Sequence, residues 1–350
     1  MNATAPKIIL DTDLGGDIDD LGALALLHAL ADQGRCDILG MISDTAQPDA
    51  IGAIDAVNRW FGRGQLSIGR STKLKQQDTY ASAVVHAAPD DVLDGHDAPP
   101  ALDIYRRLLA DAPDRSVTIA TIGVLLLLND LLDSGPDHHS RLTGRELVDA
   151  KVDRFVMMGG NYPSNPTLPE TNFRAWNNLG VSRRCIERIT EVDRPITFIG
   201  GELGDRFNGY GTGARLNELP DNHPVRVGYL DFFTRVPDWV PDDDKPWDTI
   251  QPWSIWDQIT LHHAACRNTQ LLEEVPGLNT LDDTGINHFT PDPNGPHAYL
   301  KPRVSPAELA HDIIEPLMLT RPQPAAIAVT HTRLLPVGRG EKSAAYNPSR

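Results

Sequence analysis

The chain has 350 residues, of which 40% are hydrophobic and 23% charged, a composition typical of globular proteins that excludes a wholly disordered chain. Its net charge of −16, without a basic stripe, argues against nucleic acid as a partner. The longest apolar stretch is far shorter than the ~20 residues that cross a bilayer, and the N-terminus lacks a secretory signal pattern, so we expect a cytoplasmic protein without membrane spans.

Short apolar runs alternate with helical patterns from the N-terminus onward. A buried strand at Lys7–Leu10 precedes a helix over Ile18–Ala31, and Asp17 is placed to cap its first turn. The alternation continues with Asp37–Ile42 then Ala50–Phe61, Ser116–Ile122 then Val124–Leu132, Phe155–Met158 and Ile196–Ile199. Continuous apolar strands separated by helices predict an α/β, Rossmann-like fold with a mostly parallel central sheet and helices on both faces. Such sheets bind ligands beyond the carboxyl ends of their strands, where we expect the functional residues.

The later part of the chain is less regular. The segment 237–253 is rich in proline and tryptophan, which predicts a long ordered loop that forms a pocket wall or an oligomer contact. The turn-rich segment 287–297 is expected to be an exposed loop. Ser305 is predicted to cap a helix that ends near Leu319. We assign residues 1–320 to one α/β domain and residues 321–350 to a C-terminal extension.

A cluster of carboxylates follows the first predicted strand. Asp11, Asp13, Asp17, Asp19 and Asp20 fall in one short stretch that leads into the first helix. Their mutual repulsion would be costly where water is partly excluded, unless a cation or shared protons compensate. Carboxylate oxygens without Cys or His suit calcium or magnesium. Helix capping explains one or two of these residues, but it does not explain Asp11 and Asp13 as well.

This stretch also carries a resemblance to a known family. The block IILDTDLGGDIDDLGALALL at 8–27 resembles the N-terminal signature of the inosine-uridine preferring nucleoside hydrolases, an Asp-x-Asp followed by Gly and a later Asp-Asp pair. The resemblance implies a calcium ion that grips the ribose diol and a water. It implies that Asp13 is a calcium ligand and the general base, that Asp20 is a bidentate ligand and that Asp19 contacts the ribose. The spacing between the two Asp pairs is longer than usual, which leaves the role of Asp17 open.

Three further blocks resemble the same family. The loop at 120–127 is similar to one whose threonine carbonyl binds calcium, and Leu126 stands at that position. The Met-Gly-Gly at 158–160, followed by Glu170-Thr171-Asn172-Phe173, implies that Glu170 and Asn172 hydrogen-bond the ribose hydroxyls. The block at 256–258 implies that Asp257 is the last calcium ligand, although Asp257 is equally explained by a helix cap that starts at Ser254.

The resemblance implies a calcium-dependent hydrolase that cleaves the N-glycosidic bond of a ribonucleoside or related N-riboside to ribose and free base. It also implies a homodimer or homotetramer. The best-known members carry a leaving-group His just before the last calcium-binding Asp, whereas Trp256 stands there in this chain. Tryptophan can stack on a nucleobase, but it is no useful proton donor. The residues left as candidate acids are Tyr210, Glu202, His86, His96 and His223.

Two other functions stay open at this point. Without a leaving-group acid, the chain is also consistent with a non-catalytic protein that binds calcium and ribose. The Asp11-Thr12-Asp13 spacing also resembles the start of haloacid-dehalogenase-like phosphatases. Those enzymes need a lysine that follows a strand, and Lys151 instead precedes one.

Overall fold

The computed structural model describes residues 5–76, 78–89, 91–163, 171–174, 179–240, 246–282 and 284–321. The strands of this part are β1 (Lys7–Thr12), β2 (Asp37–Thr45), β3 (Ser67–Leu74), β4 (Val117–Thr121), β5 (Val152–Met158), β6 (Ile196–Ile199), β7 (Leu272–Leu281), β8 (Asn287–Pro291) and β9 (His297–Pro302). The helices are α1 (Asp19–Asp32), α2 (Pro48–Trp60), α3 (Ala81–Ala87), α4 (Ala101–Asp111), α5 (Leu126–Asp133), α6 (Gly144–Lys151), α7 (Thr171–Arg174), α8 (Leu179–Glu191), α9 (Pro224–Thr234), α10 (Trp256–Cys266) and α11 (Glu315–Met318).

All these strands belong to one mixed sheet. Their order is β3-β2-β1-β4-β5-β6-β9-β7-β8. The pairs from β3 across to β9 are parallel, whereas β7 runs antiparallel to both β8 and β9. The predicted α/β fold with a mostly parallel sheet is therefore confirmed, and its carboxyl edge collects the loops that follow β1, β2, β4, β5 and β6.

Side chains on the two faces of the sheet enter two separate cores. In β1, Ile8 and Leu10 pack with Leu24 of α1 and Ile259 of α10 on one face. Ile9 points to the opposite face, where the apolar side chains of α4, α5, α6 and α8 cover the sheet. This alternation follows from the period of a β-strand, and it confirms that helices cover both faces.

The exposed loop predicted at 287–297 is correct only for residues 292–296, which form the turn between two strands. Residues 287–291 instead form β8 and His297 begins β9, with Asn287 and His297 buried. The Asn287 amide donates to the Asn161 carbonyl at 2.9 Å, and His297 Nε2 lies 2.9 Å from Thr190 Oγ1. These hydrogen bonds satisfy the buried polar groups, so a sequence with little apolar patterning still forms strands inside the sheet.

Element boundaries elsewhere differ from the predicted ones by a few residues. The first helix begins at Asp19, and Ile18 rather than Asp17 occupies the capping position. Ser305 Oγ accepts the Glu308 amide at 3.2 Å, as predicted, and a π-helical segment over Glu308–Ile314 leads into α11. Within the described ranges, no helix is long and apolar enough to span a bilayer. Residues 322–350, nearly all of the predicted extension, lie outside the described part.

Candidate active site

Three acidic side chains from distant parts of the sequence meet at the carboxyl edge of the sheet. Asp19 and Asp20 open α1 just after β1, and Asp257 lies in the first turn of α10. Each is only 3% exposed, and their carboxylate oxygens lie within 4.8 Å of one another. Contacts between α1 and α10 bring the two helix starts together. We call Asp19, Asp20 and Asp257 the acidic cluster.

The loop that joins β1 to α1 is fixed by Gln76, Thr79 and Tyr80. Gly15 has φ = +116°, a conformation that disfavours any residue with a Cβ. Its N–H donates to Tyr80 Oη at 3.0 Å, and its carbonyl accepts the Thr79 amide at 3.0 Å. The Gln76 side chain donates to the carbonyl of Asp13. These contacts hold Asp13 in place beside the acidic cluster.

Three ionised carboxylates this close together and this deeply buried would repel one another and lose their hydration, which is energetically unfavourable. Burial raises the pKa of Asp19, Asp20 and Asp257 well above the usual range, and the charge of Asp13 raises all three further. Thr12 Oγ1 donates to Asp20 and partly offsets this effect. The donors are all carboxylate oxygens, without Cys or His, which is the donor set of a hard divalent cation such as Ca²⁺ or Mg²⁺.

Helix capping does not account for Asp257. The residue at the capping position of α10 is Ile255, whose side chain makes no cap. Ser254, the alternative cap in the sequence, instead accepts the Arg206 amide on its Oγ at 3.0 Å. Asp257 is therefore buried against other carboxylates without serving as the partner in a capping box.

Sequence reasoning missed Asp44, which forms a second pair of buried acids with Asp11 next to the cluster. Asp44, at the end of β2, is 1% exposed, and neither of its carboxyl oxygens has a hydrogen-bond donor among the described residues. It faces Asp11, whose other oxygen accepts a hydrogen bond from Tyr105. Burial raises the pKa of Asp11 to about 6, and burial together with the charge of Asp11 raises that of Asp44 well above its usual range, so both carboxyls bind a proton more tightly than an exposed Asp does. Asp44 lies two residues beyond the predicted end of its strand, where functional residues are expected.

The end of the predicted loop 237–253 lies against the same region. Trp253 Nε1 donates to Asp17 Oδ1 at 2.7 Å, and the Arg206 guanidinium stacks on the Trp253 ring at 4.2 Å. Desolvation raises the pKa of Asp17 to about 6. Hydrogen bonds from the Ile18 amide and from Trp253, and the charge of Arg206, partly offset this rise. Asp17 therefore lies beside Asp19 and is held by Trp253, and it does not cap the helix.

The residues expected to contact ribose or supply a carbonyl are only partly described. Asn172 donates its side-chain amide to the Ile122 carbonyl at 3.3 Å and to Met158 Sδ at 3.1 Å, which places it at the ends of β4 and β5. Glu170 lies outside the described residues. Leu126 is the first residue of α5, and its side chain belongs to a small apolar group beyond β4. Their roles stay predictions.

Trp256 is the first residue of α10 and is partly buried. Its indole N–H donates to the Gly201 carbonyl at 2.7 Å, in the loop that follows β6. In the same loop, Glu202 Oε2 accepts the Tyr162 amide at 3.0 Å. Tyr210 is buried, and both burial and the nearby Glu202 raise its pKa. The loop therefore places Glu202 next to the residue that accepts the Trp256 hydrogen bond, and Tyr210 lies near Glu202.

The three candidate histidines lie in different surroundings. His223 is fully buried, caps α9 and packs against Trp60, and burial lowers its pKa to about 4. His86 is exposed on α3. His96 lines a small pocket with Gln47 and Arg70, at the ends of β2 and β3. His96 is therefore the histidine whose position best matches a role at the carboxyl edge.

No family model matches the sequence, and no curated protein is similar to it in sequence. Solved structures are similar in fold. An inosine-uridine preferring nucleoside hydrolase from Bacillus anthracis has a TM-score of 0.62 at 19% identity, over 89% of this chain and 99% of that one. A purine-preferring ribonucleoside hydrolase from Gardnerella vaginalis has a TM-score of 0.59 at 13% identity, over 89% and 98%. The type III effector protein XopQ, solved with adenosine diphosphate ribose, has 0.65 at 14%, over 90% and 94%. The chain therefore has the α/β fold of the nucleoside hydrolases, as the sequence resemblance predicts.

Proposed function

We propose that this protein is a calcium-dependent hydrolase that cleaves the N-glycosidic bond of a ribonucleoside or related N-riboside. The observation that carries the proposal is the acidic cluster of Asp19, Asp20 and Asp257, buried at the carboxyl edge of a nucleoside hydrolase fold. Small molecules bind at this edge in open α/β sheets. The products are ribose and the free base.

Calcium fits the site because its donors are oxygens and because the buried carboxylates need a compensating positive charge. Asp13, Asp20, Asp257 and the carbonyl of Leu126 would hold the ion. When bound, the ion supplies the charge that orients the ribose diol and lowers the pKa of a water. Asp19 contacts a ribose hydroxyl from the first turn of α1, and Glu170 and Asn172 hydrogen-bond the ribose hydroxyls.

The reaction consumes one water. Asp13 accepts a proton from this water as its oxygen bonds to C1′ of the ribose, and the C1′–N bond breaks with its electron pair leaving on the base. The departing base needs a proton. Trp256 cannot provide it, since its N–H donates to the Gly201 carbonyl and an indole is not an acid at neutral pH. We assign Trp256 a stacking contact with the base, and the reaction then favours bases that leave easily.

Two alternatives from the sequence receive different support. The engaged indole of Trp256 favours a calcium- and ribose-binding protein without turnover as the second candidate. The phosphatase alternative loses support because Lys151 ends α6, at the amino end of β5, where its ammonium donates to the Ala112 carbonyl at 2.9 Å. A lysine there lies at the opposite edge of the sheet from Asp11 and Asp13.

The decisive experiment compares wild type with Asp13→Ala and Asp37→Ala in a ribose-release assay with calcium and several nucleosides. We expect Asp13→Ala to abolish hydrolysis with an unchanged circular dichroism spectrum, because the base and a metal ligand are lost together. Asp37 is exposed at the amino end of β2, so Asp37→Ala is the matched control and keeps its activity.

Three other results would contradict the proposal. Activity of Asp13→Ala near that of wild type would place the base elsewhere. Nucleoside binding without any ribose release would identify the binding protein. Phosphate release from a generic phosphate ester would identify the phosphatase.

A further inference from the structure

A second group of metal-ligating side chains lies outside the acidic cluster. Asp103 is in the first turn of α4, and His138 and His139 belong to the loop between α5 and α6. His139 Nε2 lies 2.9 Å from Asp103 Oδ1, and His138 Nε2 lies 3.6 Å from the same oxygen. One ligand atom from each of the three residues falls within 4.8 Å of the other two. Two imidazoles and a carboxylate therefore converge on one point.

The spacing of these atoms matches a tetrahedral metal ion. Zinc bonds of about 2.0–2.1 Å to nitrogen and oxygen place neighbouring ligand atoms about 3.3 Å apart. The two observed separations, 2.9 and 3.6 Å, lie on either side of that value. The rings of His138 and His139 are also close, with centroids 3.8 Å apart. The 2.9 Å separation is a hydrogen bond between His139 and Asp103, and an ion between the three residues would take its place.

Hydrogen bonds from α4 hold the loop that carries the two histidines in place. Arg106, one turn after Asp103 on α4, is 2% exposed and donates to both carboxylate oxygens of Asp137 at 2.6 and 3.0 Å. It also donates to the Leu142 carbonyl at 2.8 Å. Asp137 in turn accepts the His139 backbone amide at 3.0 Å. The backbone that carries the two imidazoles is therefore already ordered, which lowers the entropy cost of forming a metal site.

We propose that Asp103, His138 and His139 bind a divalent transition metal ion, with zinc the best match. Arg106 neutralises Asp137, so Asp103 supplies the anionic ligand. Imidazole nitrogens favour zinc over the hard cations that suit the acidic cluster, so the two sites differ in metal preference. The His138 side chain is 73% exposed, so an ion can reach the site from solvent. A bound ion would join α4 to the loop that precedes α6.

The test is a calorimetric zinc titration of the full chain, stripped with a chelator and then held in millimolar calcium to occupy the acidic cluster. We expect wild type to bind one zinc equivalent and the double variant His138→Gln/His139→Gln to lose at least ~10-fold in affinity. His86→Gln, at an exposed histidine of α3, is the matched control and keeps the wild-type titration. Zinc should raise the unfolding temperature of wild type and of the control, but not of the double variant.

Cobalt(II) provides a spectroscopic readout. With nitrogen ligands it has visible absorption bands that are more intense than those of cobalt(II) in an all-oxygen site. Asp257→Asn should keep these bands, since the change affects only the acidic cluster. Equal unfolding curves for the double variant and wild type in chelator would show that the fold is intact. A double variant that binds zinc like wild type, or a wild type that binds none, would overturn the proposal.

Discussion

Replacement of Asp11 by asparagine should stabilise the metal-free protein, and the gain should grow as the pH rises. Asp11 is fully buried, accepts a hydrogen bond from Tyr105 and faces Asp44. An asparagine keeps an oxygen that accepts from Tyr105. Its amide can also donate to Asp44, whose carboxyl oxygens have no donor in the described structure. The substitution therefore removes a charge that is costly to bury without losing the existing hydrogen bond.

The expected size follows from the pKa. Burial raises the pKa of Asp11 from 3.8 to about 6. A raised pKa means that the folded protein binds this proton more tightly, so stability is fully present below pH 3.8 and is lost as the pH rises through 6. At 1.36 kcal/mol per pKa unit, the loss amounts to about 1 kcal/mol at pH 4.5 and about 3 kcal/mol at pH 8. The gain from Asp11→Asn should therefore be about 2 kcal/mol larger at pH 8 than at pH 4.5.

Urea unfolding in the presence of a chelator measures this difference at the two pH values. The chelator matters because a cation in the acidic cluster would change the charge that Asp11 experiences. Asp37→Asn, at an exposed carboxylate paired with Lys7, serves as the control and should show little dependence on pH. A gain for Asp11→Asn of the same size at both pH values would refute the reasoning, since it would show that Asp11 titrates alike in the folded and unfolded chains.

Two further predictions concern the metal and the leaving group. Asp20→Asn should sharply lower calcium affinity and shrink the calcium-induced rise in unfolding temperature, because bound ligand stabilises the native state by mass action. A calcium titration unchanged from wild type would remove Asp20 from the site. Nucleoside analogues with good leaving groups should react far faster than inosine, because general-acid assistance is typically worth ~10²–10⁴-fold. Equal rates on both substrates would instead reveal an acid, with Tyr210 and Glu202 the first residues to replace.

Five parallel strands of the sheet, β1, β2, β4, β5 and β6, could be predicted from sequence, whereas the polar strand β3 and the edge strands β7 to β9 could not. Parallel strands covered on both faces are continuous apolar runs, and β6 was predicted with its observed bounds for this reason. The edge strands β7 to β9 lack such runs. Their buried residues include Asn279, Asn287 and His297, which satisfy one another or nearby backbone groups by hydrogen bonds. A pattern of hydrophobicity cannot reveal strands that bury polar side chains in this way.

The acidic cluster was predictable for a different reason. Asp19, Asp20 and Asp257 were chosen through family motifs, because nothing in their spacing says that α1 and α10 begin at the same place. Asp44 has no such motif, and its importance appears only when β1 and β2 pair in parallel, with Asp11 opposite Ile42. That register places the residues of β2 that follow Ile42, Asp44 among them, beside the end of β1. The sequence could locate Asp44 after a strand, but it could not show which neighbour the carboxyl faces.

The tryptophans beside the acidic cluster show what the structure adds to a motif. An indole has one donor and no acceptor. Trp253 donates to Asp17 and Trp256 to the Gly201 carbonyl, so neither N–H is available to a ligand in this conformation. Trp253 is also buried and covered by Arg206, which leaves the partly exposed ring of Trp256 as the face that can stack on a base. Stacking accepts any aromatic ring, so discrimination between bases must come from polar groups other than these two indoles.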